Sequence, residues 1–299
     1  MLPIAFHPIY QHPLPDGHRF PMLKYELLPQ QLLHEGTAVA ADFFEPTGCD
    51  IELVLAAHEQ EYVQNLIALQ IEPRAARKIG FPLSKELVGR ELTIAQGTVM
   101  GAVKAFEHKI AFNIAGGTHH AFPGHGEAFC LLNDQAIAAH YLLDKNLAKK
   151  ILIIDLDVHQ GNGTAVIFQN NTQVFTFSTH GKTNYPFKKE ISDLDIAFED
   201  HTTDAVFLKT IAEVIPRLIQ EQKPDFIFYL SGVDILHTDK LGKLGCTIEG
   251  CKKRDEIVFE LCAKHQIPVQ VSMGGGYSPE IKTIIEAHAN TYRVAKSIF

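Results

Sequence analysis

The sequence predicts an α/β fold: a central parallel sheet covered by helices on both faces. Three observations point to it. Apolar runs and helix-length amphipathic stretches alternate from Glu86 to the end of the chain, as βα units do. The run Ile151–Ile154 is continuously apolar, as a strand buried on both sides reads. Several apolar runs end in glycines mixed with His, Asp or Tyr, and open α/β sheets bind ligands at the carboxyl ends of their strands.

Taken in order, Leu2–Phe6 reads as a short strand, and His7–Pro29 as an irregular stretch rich in Pro, His and aromatics. Ile51–Ala57 reads as a strand, followed by a helix through Leu69 and a loop over Glu72–Pro82. Glu86–His108 is a long helix whose small residues Ala95, Gly97, Gly101 and Ala105 suit close packing. Strands are expected at Ile110–Ala115, at Ile151 onward, and at Val174–Ser178, Asp225–Leu230 and Pro268–Ser272. Helices are expected at Asp134–Lys145, Thr203–Gln222, Glu249–His265 and Pro279 to about Ala289. No linker, repeat or low-complexity tract interrupts the chain, so residues 1–299 read as one domain.

With 299 residues and 46% hydrophobic content, the chain can bury a sizeable core unaided. A net charge of −8 argues against non-specific nucleic-acid binding. Cys49, Cys130, Cys246, Cys251 and Cys262 are odd in number and form no CxxC pair. That pattern suits a reducing compartment, the cytoplasm, rather than a disulfide framework. The sequence from Met1 to Gln11 lacks signal-peptide features, and no run is long enough to span a membrane.

The chemistry gathers after the strands. In ILIIDLDVHQGNG, Asp155, Asp157 and His159 alternate, so an extended chain projects all three from one face, ~6.6 Å apart per pair. Carboxylate oxygen with imidazole nitrogen suits zinc, iron, cobalt or manganese. Asp234, in Ser231-Gly232-Val233-Asp234, completes an Asp-His-Asp set with an open fourth position, or serves as a turn aspartate. His119 and His120 follow two glycines in GGTHH and are candidate general acid and base. Gly274, Gly275 and Gly276 let backbone approach a ligand and hold Tyr277 at the same edge, as an oxyanion donor or as a rim tyrosine. Phe129 is a candidate channel wall, with Tyr185 and Phe187 opposite. His58 and His180 read as structural.

Together, GGTHH, DLDVHQGNG, SGVD and MGGGY resemble, in order, the motifs of the zinc-dependent histone deacetylase family, over roughly Tyr10 to the end of the chain. HQGNG, SGVDILHTDKLGKLG, KRDEIVF and the short GGGY resemble the class IV branch and its bacterial relatives. The resemblance implies an arginase-like α/β fold with a parallel sheet of about eight strands. It implies zinc on Asp157, His159 and Asp234, with Asp155 bonded to His119 and Asn162 to His120. It implies Tyr277 as the catalytic tyrosine and Phe129 as a wall of an acyl-lysine tunnel. It also implies potassium held by backbone around Asp155, Asp157, His159, Ser178 and Thr179. Gln160, Asn162 and Ala128 depart from the class I pattern, which has His, Asp and Gly there; the first two match class IV. Asp16 is a candidate for a substrate-clamping acid.

The expected activity is removal of an acyl group from an amine, foremost the ε-amine of lysine, with iron in place of zinc as a cellular alternative. Acetylated polyamines or other small acyl-amines are the nearest rival substrates. A binuclear manganese ureohydrolase and a non-catalytic acyl-lysine binder are the more distant readings.

Overall fold

The computed structural model describes residues 1–299. Eight strands form one sheet: β1 Ile4–Ala5, β2 Phe43–Phe44, β3 Ile110–Asn113, β4 Ile151–Asp155, β5 Val174–Gly181, β6 Leu194–Phe198, β7 Phe226–Leu230 and β8 Val269–Ser272. Their order is β2-β1-β3-β8-β7-β4-β5-β6, and every pairing is parallel. The architecture is therefore the expected α/β fold with a parallel sheet of eight strands. All residues of β3, β4, β7 and β8 are buried, which explains why these strands are mostly apolar, with polar Asn113, Asp155 and Ser272 at their carboxyl ends.

Register matters for the site. Asn113 pairs with Ser272, Ser272 with Leu230, Leu230 with Asp155, and Asp155 with Ser178. The loops after β3, β8, β7 and β4 thus leave the sheet at one level and converge above it.

Ten α-helices accompany the sheet: α1 Lys24–His34, α2 Ile51–Leu55, α3 Gln60–Ile67, α4 Pro73–Ile79, α5 Lys85–His108, α6 Asp134–Asp144, α7 Asn162–Phe168, α8 Asp204–Gln222, α9 Ile248–His265 and α10 Ile281–Ile298. Ser84 caps α5, its side chain accepting from Leu87 N. The four small residues of α5 are all buried.

Four expectations are corrected. Ile51–Ala57 is not a strand: Ile51–Leu55 is helical with only Val54 buried, so its β-branched residues carried no sheet signal. Glu72–Pro82 contains α4, with Pro73 opening it and Gly80 closing it at φ +84°, the usual start and stop residues. His7–Pro29 is not wholly irregular, because α1 begins at Lys24 and buries Tyr25, Leu28 and Leu32. Pro29 lies inside that helix and hid its period, since proline removes a backbone donor. The last helix runs on to Ile298. The edge strand β6 and the short α7 had no sequence signal. No helix is long and apolar enough to cross a membrane.

Candidate active site

β4 ends at Asp155, so the two-residue period cannot align Asp157 and His159. The side chains themselves fold the loop. Asp155 Oδ1 accepts from Asp157 N at 3.1 Å, and Asp157 Oδ1 accepts from His159 N at 3.0 Å. Successive Asx-type turns thus reverse the chain at each acid. Asp234, from the loop after β7, locks the turn by accepting from Val158 N at 3.0 Å. Gly275 N, from the loop after β8, donates to Asp157 Oδ2 at 2.9 Å.

These bonds bring one ligand atom each of Asp157, His159 and Asp234 within 4.8 Å of one another. His159 Nδ1 lies 3.2 Å from Asp157 Oδ1 and 3.1 Å from Asp234 Oδ2. Burial alone would push the imidazole down, but the two carboxylates push it up to about 10. Burial, then the Asp157 charge, pushes Asp234 up to about 7. The set therefore favours positive charge strongly, and two carboxylates with one imidazole are the donors a divalent metal takes. A Cβ at Gly275 would run into the Asp234 carboxylate, so only glycine leaves this cradle open. We expect Gly275→Ala to keep the helical content but weaken metal retention at least tenfold, of the order seen when a supporting contact is lost; metal titration against a chelator measures it.

His119 and His120 stand beside the set, their ring centroids 4.1 Å apart. His119 Nδ1 lies 2.7 Å from Asp155 Oδ2, and His120 Nδ1 lies 2.6 Å from Asn162 Oδ1. The partners differ in charge, and the histidines part accordingly. Burial opposes the charged form of His119, but Asp155 outweighs it and the net shift is upward. Burial, then the charges of His119 and His159, takes His120 well below the ordinary range. Asn162 is an amide and adds no charge to counter that.

Tyr277 faces the set from the other side, its ring 6.4 Å from that of His159. Burial, and then the charges of Asp234 and Asp157, holds its hydroxyl well above the usual range, so it remains a proton donor. Phe129 lies 6.1 Å from Tyr277, Phe20 lies 5.9 Å from it, and Tyr185 lies edge-on to His120 at 5.0 Å. These rings line a throat from a funnel of about 840 Å³ to a small inner cavity of about 40 Å³ beside the histidines. Ala128 stands at the throat with φ +44°, followed by Phe129 at φ +69°. That pair is pinned to the end of α4 by Ala128 N donating to Lys78 O and Phe129 N to Ile79 O.

Other expected residues fall elsewhere. Phe187 is 90% exposed and lies on the funnel rim, so it is no tunnel wall. Gly276 turns away, toward Val233 and His288; Gly274 lines the inner cavity in its place, beside Gly275. Asp16 is exposed and outside the funnel lining, to which the same segment contributes Arg19. His58 is structural, held between Phe122 O and Asn133 N at 2.9 Å each. His180 is buried next to Ser178, 3.5 Å away, and does not line the site. At the expected potassium position, Asp155 and Ser178 stand opposite each other on β4 and β5, and Thr179 Oγ1 is buried without a partner.

The supporting residues were not anticipated. Asp134 Oδ1 accepts from Gly117 N and Thr118 N at 2.9 Å, bracing the histidine loop. Asp239 Oδ2 accepts from Tyr277 N at 2.6 Å. Arg254, fully buried and paired with Asp255, donates to the carbonyls of Ser231 and Gly232. Lys24 is fully buried, donates to Gly274 O at 3.1 Å, and is pushed down to about 8 by burial. Lone charges on helices carry no spacing signal; only the adjacent Arg254-Asp255 pair hinted at a buried ion pair.

A histone deacetylase domain model matches residues 18–292. An uncharacterized protein of Picosynechococcus sp. is 42% identical over 99% of both chains. Histone deacetylase 2 of Arabidopsis thaliana is 27% identical over 90% of this chain and 72% of its own. The acetoin utilization protein AcuC of Staphylococcus aureus is 28% identical over 90% and 74%. Among solved structures, a histone deacetylase homologue complexed with SAHA superposes with a TM-score of 0.87 at 23% identity, covering 100% of this chain and 84% of that one. The chain belongs to the histone deacetylase family.

Proposed function

We propose that the protein is a metal-dependent amidohydrolase that removes acyl groups from the ε-amine of lysine. One observation carries this reading: the buried Asp157-His159-Asp234 set lies between a histidine pair of split basicity and a protonated Tyr277. Asp157, His159 and Asp234 would hold a divalent metal, zinc or iron, which would supply Lewis-acid chemistry to the amide carbonyl and the attacking water. His120 is the neutral base and takes the water proton at Nε2, its Nδ1–H being committed to Asn162. His119, kept cationic by Asp155, stabilises developing negative charge and returns a proton to the departing amine. Tyr277 donates its phenol hydrogen to the oxyanion. Phe129, Phe20 and Tyr277 give the aliphatic stem of an acyl-lysine an apolar passage.

The set offers three ligands for one ion, and Asp155 is engaged by His119, which disfavours a binuclear ureohydrolase. Potassium beneath the set is part of the proposal, supported by the paired Asp155 and Ser178 and the unpartnered Thr179 hydroxyl. The five free, buried cysteines suit a reducing, cytoplasmic setting. The test is turnover of acetyl-lysine, longer acyl-lysine and acetylated polyamine substrates by one preparation with measured metal content. Hydrolysis confined to the polyamine would replace the lysine reading; metal-independent turnover would remove the mechanism.

Asn162 offers a sharper test. In Asn162→Asp a carboxylate replaces the amide at 2.6 Å from His120 Nδ1, favouring imidazolium and raising the pKa of the base. The base must be neutral to accept a proton, so activity is lost as pH falls through that raised value. The acidic limb of the kcat/KM profile should move upward by about one unit or more, within the range of a carboxylate–histidine pair. A limb that stays in place would take the base role from His120.

A further inference from the structure

The funnel outside the throat has a sign of its own. The chain carries 35 Asp and Glu against 27 Lys and Arg, a net charge of −8. The funnel lining reverses this, with Arg19, Lys78, Lys188 and Lys243 against Glu127 and Glu190. Glu127 is already spent: the Tyr185 hydroxyl donates to its Oε2, while His125 and Lys78 lie 3.3 and 3.4 Å from its Oε1. Lys243 is partly countered by Asp200 at 4.0 Å and bonds Thr183 Oγ1 at 2.8 Å. Arg19 and Lys188 have no carboxylate within 4.0 Å; the Arg19 guanidinium instead lies over the Phe129 ring, 4.9 Å from its centroid. One free cation therefore stands on the throat wall itself, and a second on the rim segment that carries Phe187.

We infer that the substrate is an acyl-lysine embedded in an acidic stretch of polypeptide, with Asp or Glu flanking the modified residue. This rests on the acyl-lysine reading and specifies it. Neutralising a lysine by acylation leaves its neighbours to set the local charge. Acidic neighbours meet Arg19 and Lys188 as they approach, whereas a lysine-rich tail or an acetylated polyamine brings like charge to the same wall. Arg19 and Lys188 are solvent-exposed on a concave surface, and charge lining a concave surface steers association. Exposed Phe187 adds an apolar contact beside the flanking residues.

The experiment uses three acetyl-lysine peptides identical except for Glu, Gln or Lys at the positions flanking the modified lysine, with acetylspermidine as a fourth substrate. At low salt, kcat/KM should fall in the order Glu, Gln, Lys, with roughly tenfold or more between the first and last, as steering by a few charges gives. The spread should shrink as ionic strength rises. In Arg19→Gln/Lys188→Glu the ordering should flatten or invert. A flat or reversed ordering in the unmodified protein, or one unmoved by that double variant, overturns the inference while leaving acyl-lysine hydrolysis standing. Binding of the same peptides to Tyr277→Phe separates the two readings: Glu-favouring binding without turnover in the unmodified protein would uphold the charge selectivity and sink the hydrolase. Turnover of acetylspermidine alone would sink both.

Discussion

Replacing Asp234 by Ala is expected to abolish deacylation and most divalent-metal binding. Asp234 has two jobs. Oδ2 faces His159 Nδ1 at 3.1 Å in the proposed three-ligand set, and Oδ1 holds Val158 N at 3.0 Å. Alanine removes one of the three proposed ligands and leaves the Val158 donor unanswered in a fully buried place. The loss should exceed the roughly 10–100-fold cost of an outer-sphere change. Asp234→Asn separates the jobs, since the amide oxygen still accepts from Val158 but its charge is gone. It should restore the thermal stability lost in the alanine variant without restoring metal or activity. Metal content per chain, read beside far-UV circular dichroism, decides the matter. Full occupancy in Asp234→Ala would remove Asp234 from the ligand set.

Tyr277→Phe should retain metal and fold yet lower kcat by roughly 10²–10³, the usual cost of one missing oxyanion donor. Only the hydroxyl changes; the ring contacts to Phe20, Phe129 and His159 persist, so KM should move little. The backbone beneath is fixed independently by Asp239, which accepts from Tyr277 N at 2.6 Å. An unchanged kcat on the best amide substrate would reduce the tyrosine to a wall of the throat.

The sheet and the reacting groups were legible because they obey local rules. Doubly buried strands read as continuous apolar runs, and glycine clusters mark where those strands release the chain. The expected alignment of Asp155, Asp157 and His159 on one strand face does not hold: β4 ends at Asp155, and Asp157 and His159 converge through side-chain-to-backbone turns instead. What escaped notice depends on distant partners. Lys24 meets Gly274 O, Asp239 meets Tyr277 N and Arg254 meets the Ser231 and Gly232 carbonyls, and no spacing rule connects such pairs. Pro29 concealed α1, and the two-residue strand β2 is too short to show a period. Gly276 and Phe187 show the limit of reading a motif as a block, since one residue of each turned away from the chemistry.

The position of β8 bears on how the protein is made. Without Val269–Ser272 the sheet separates into β2-β1-β3 and β7-β4-β5-β6, with no backbone bond between them. The bridging strand is the eighth in chain order, so the two half-sheets stay unjoined, with open edges, until residues 269–272 are in place. Such edges favour pairing with other chains, and parallel sheets closed by distant segments assemble slowly. The same late segment delivers Gly275 to Asp157 and Tyr277 to the throat. The candidate site is therefore complete only once residues 269–277 have joined the sheet; before that, Asp157 lacks its Gly275 donor and the throat lacks Tyr277.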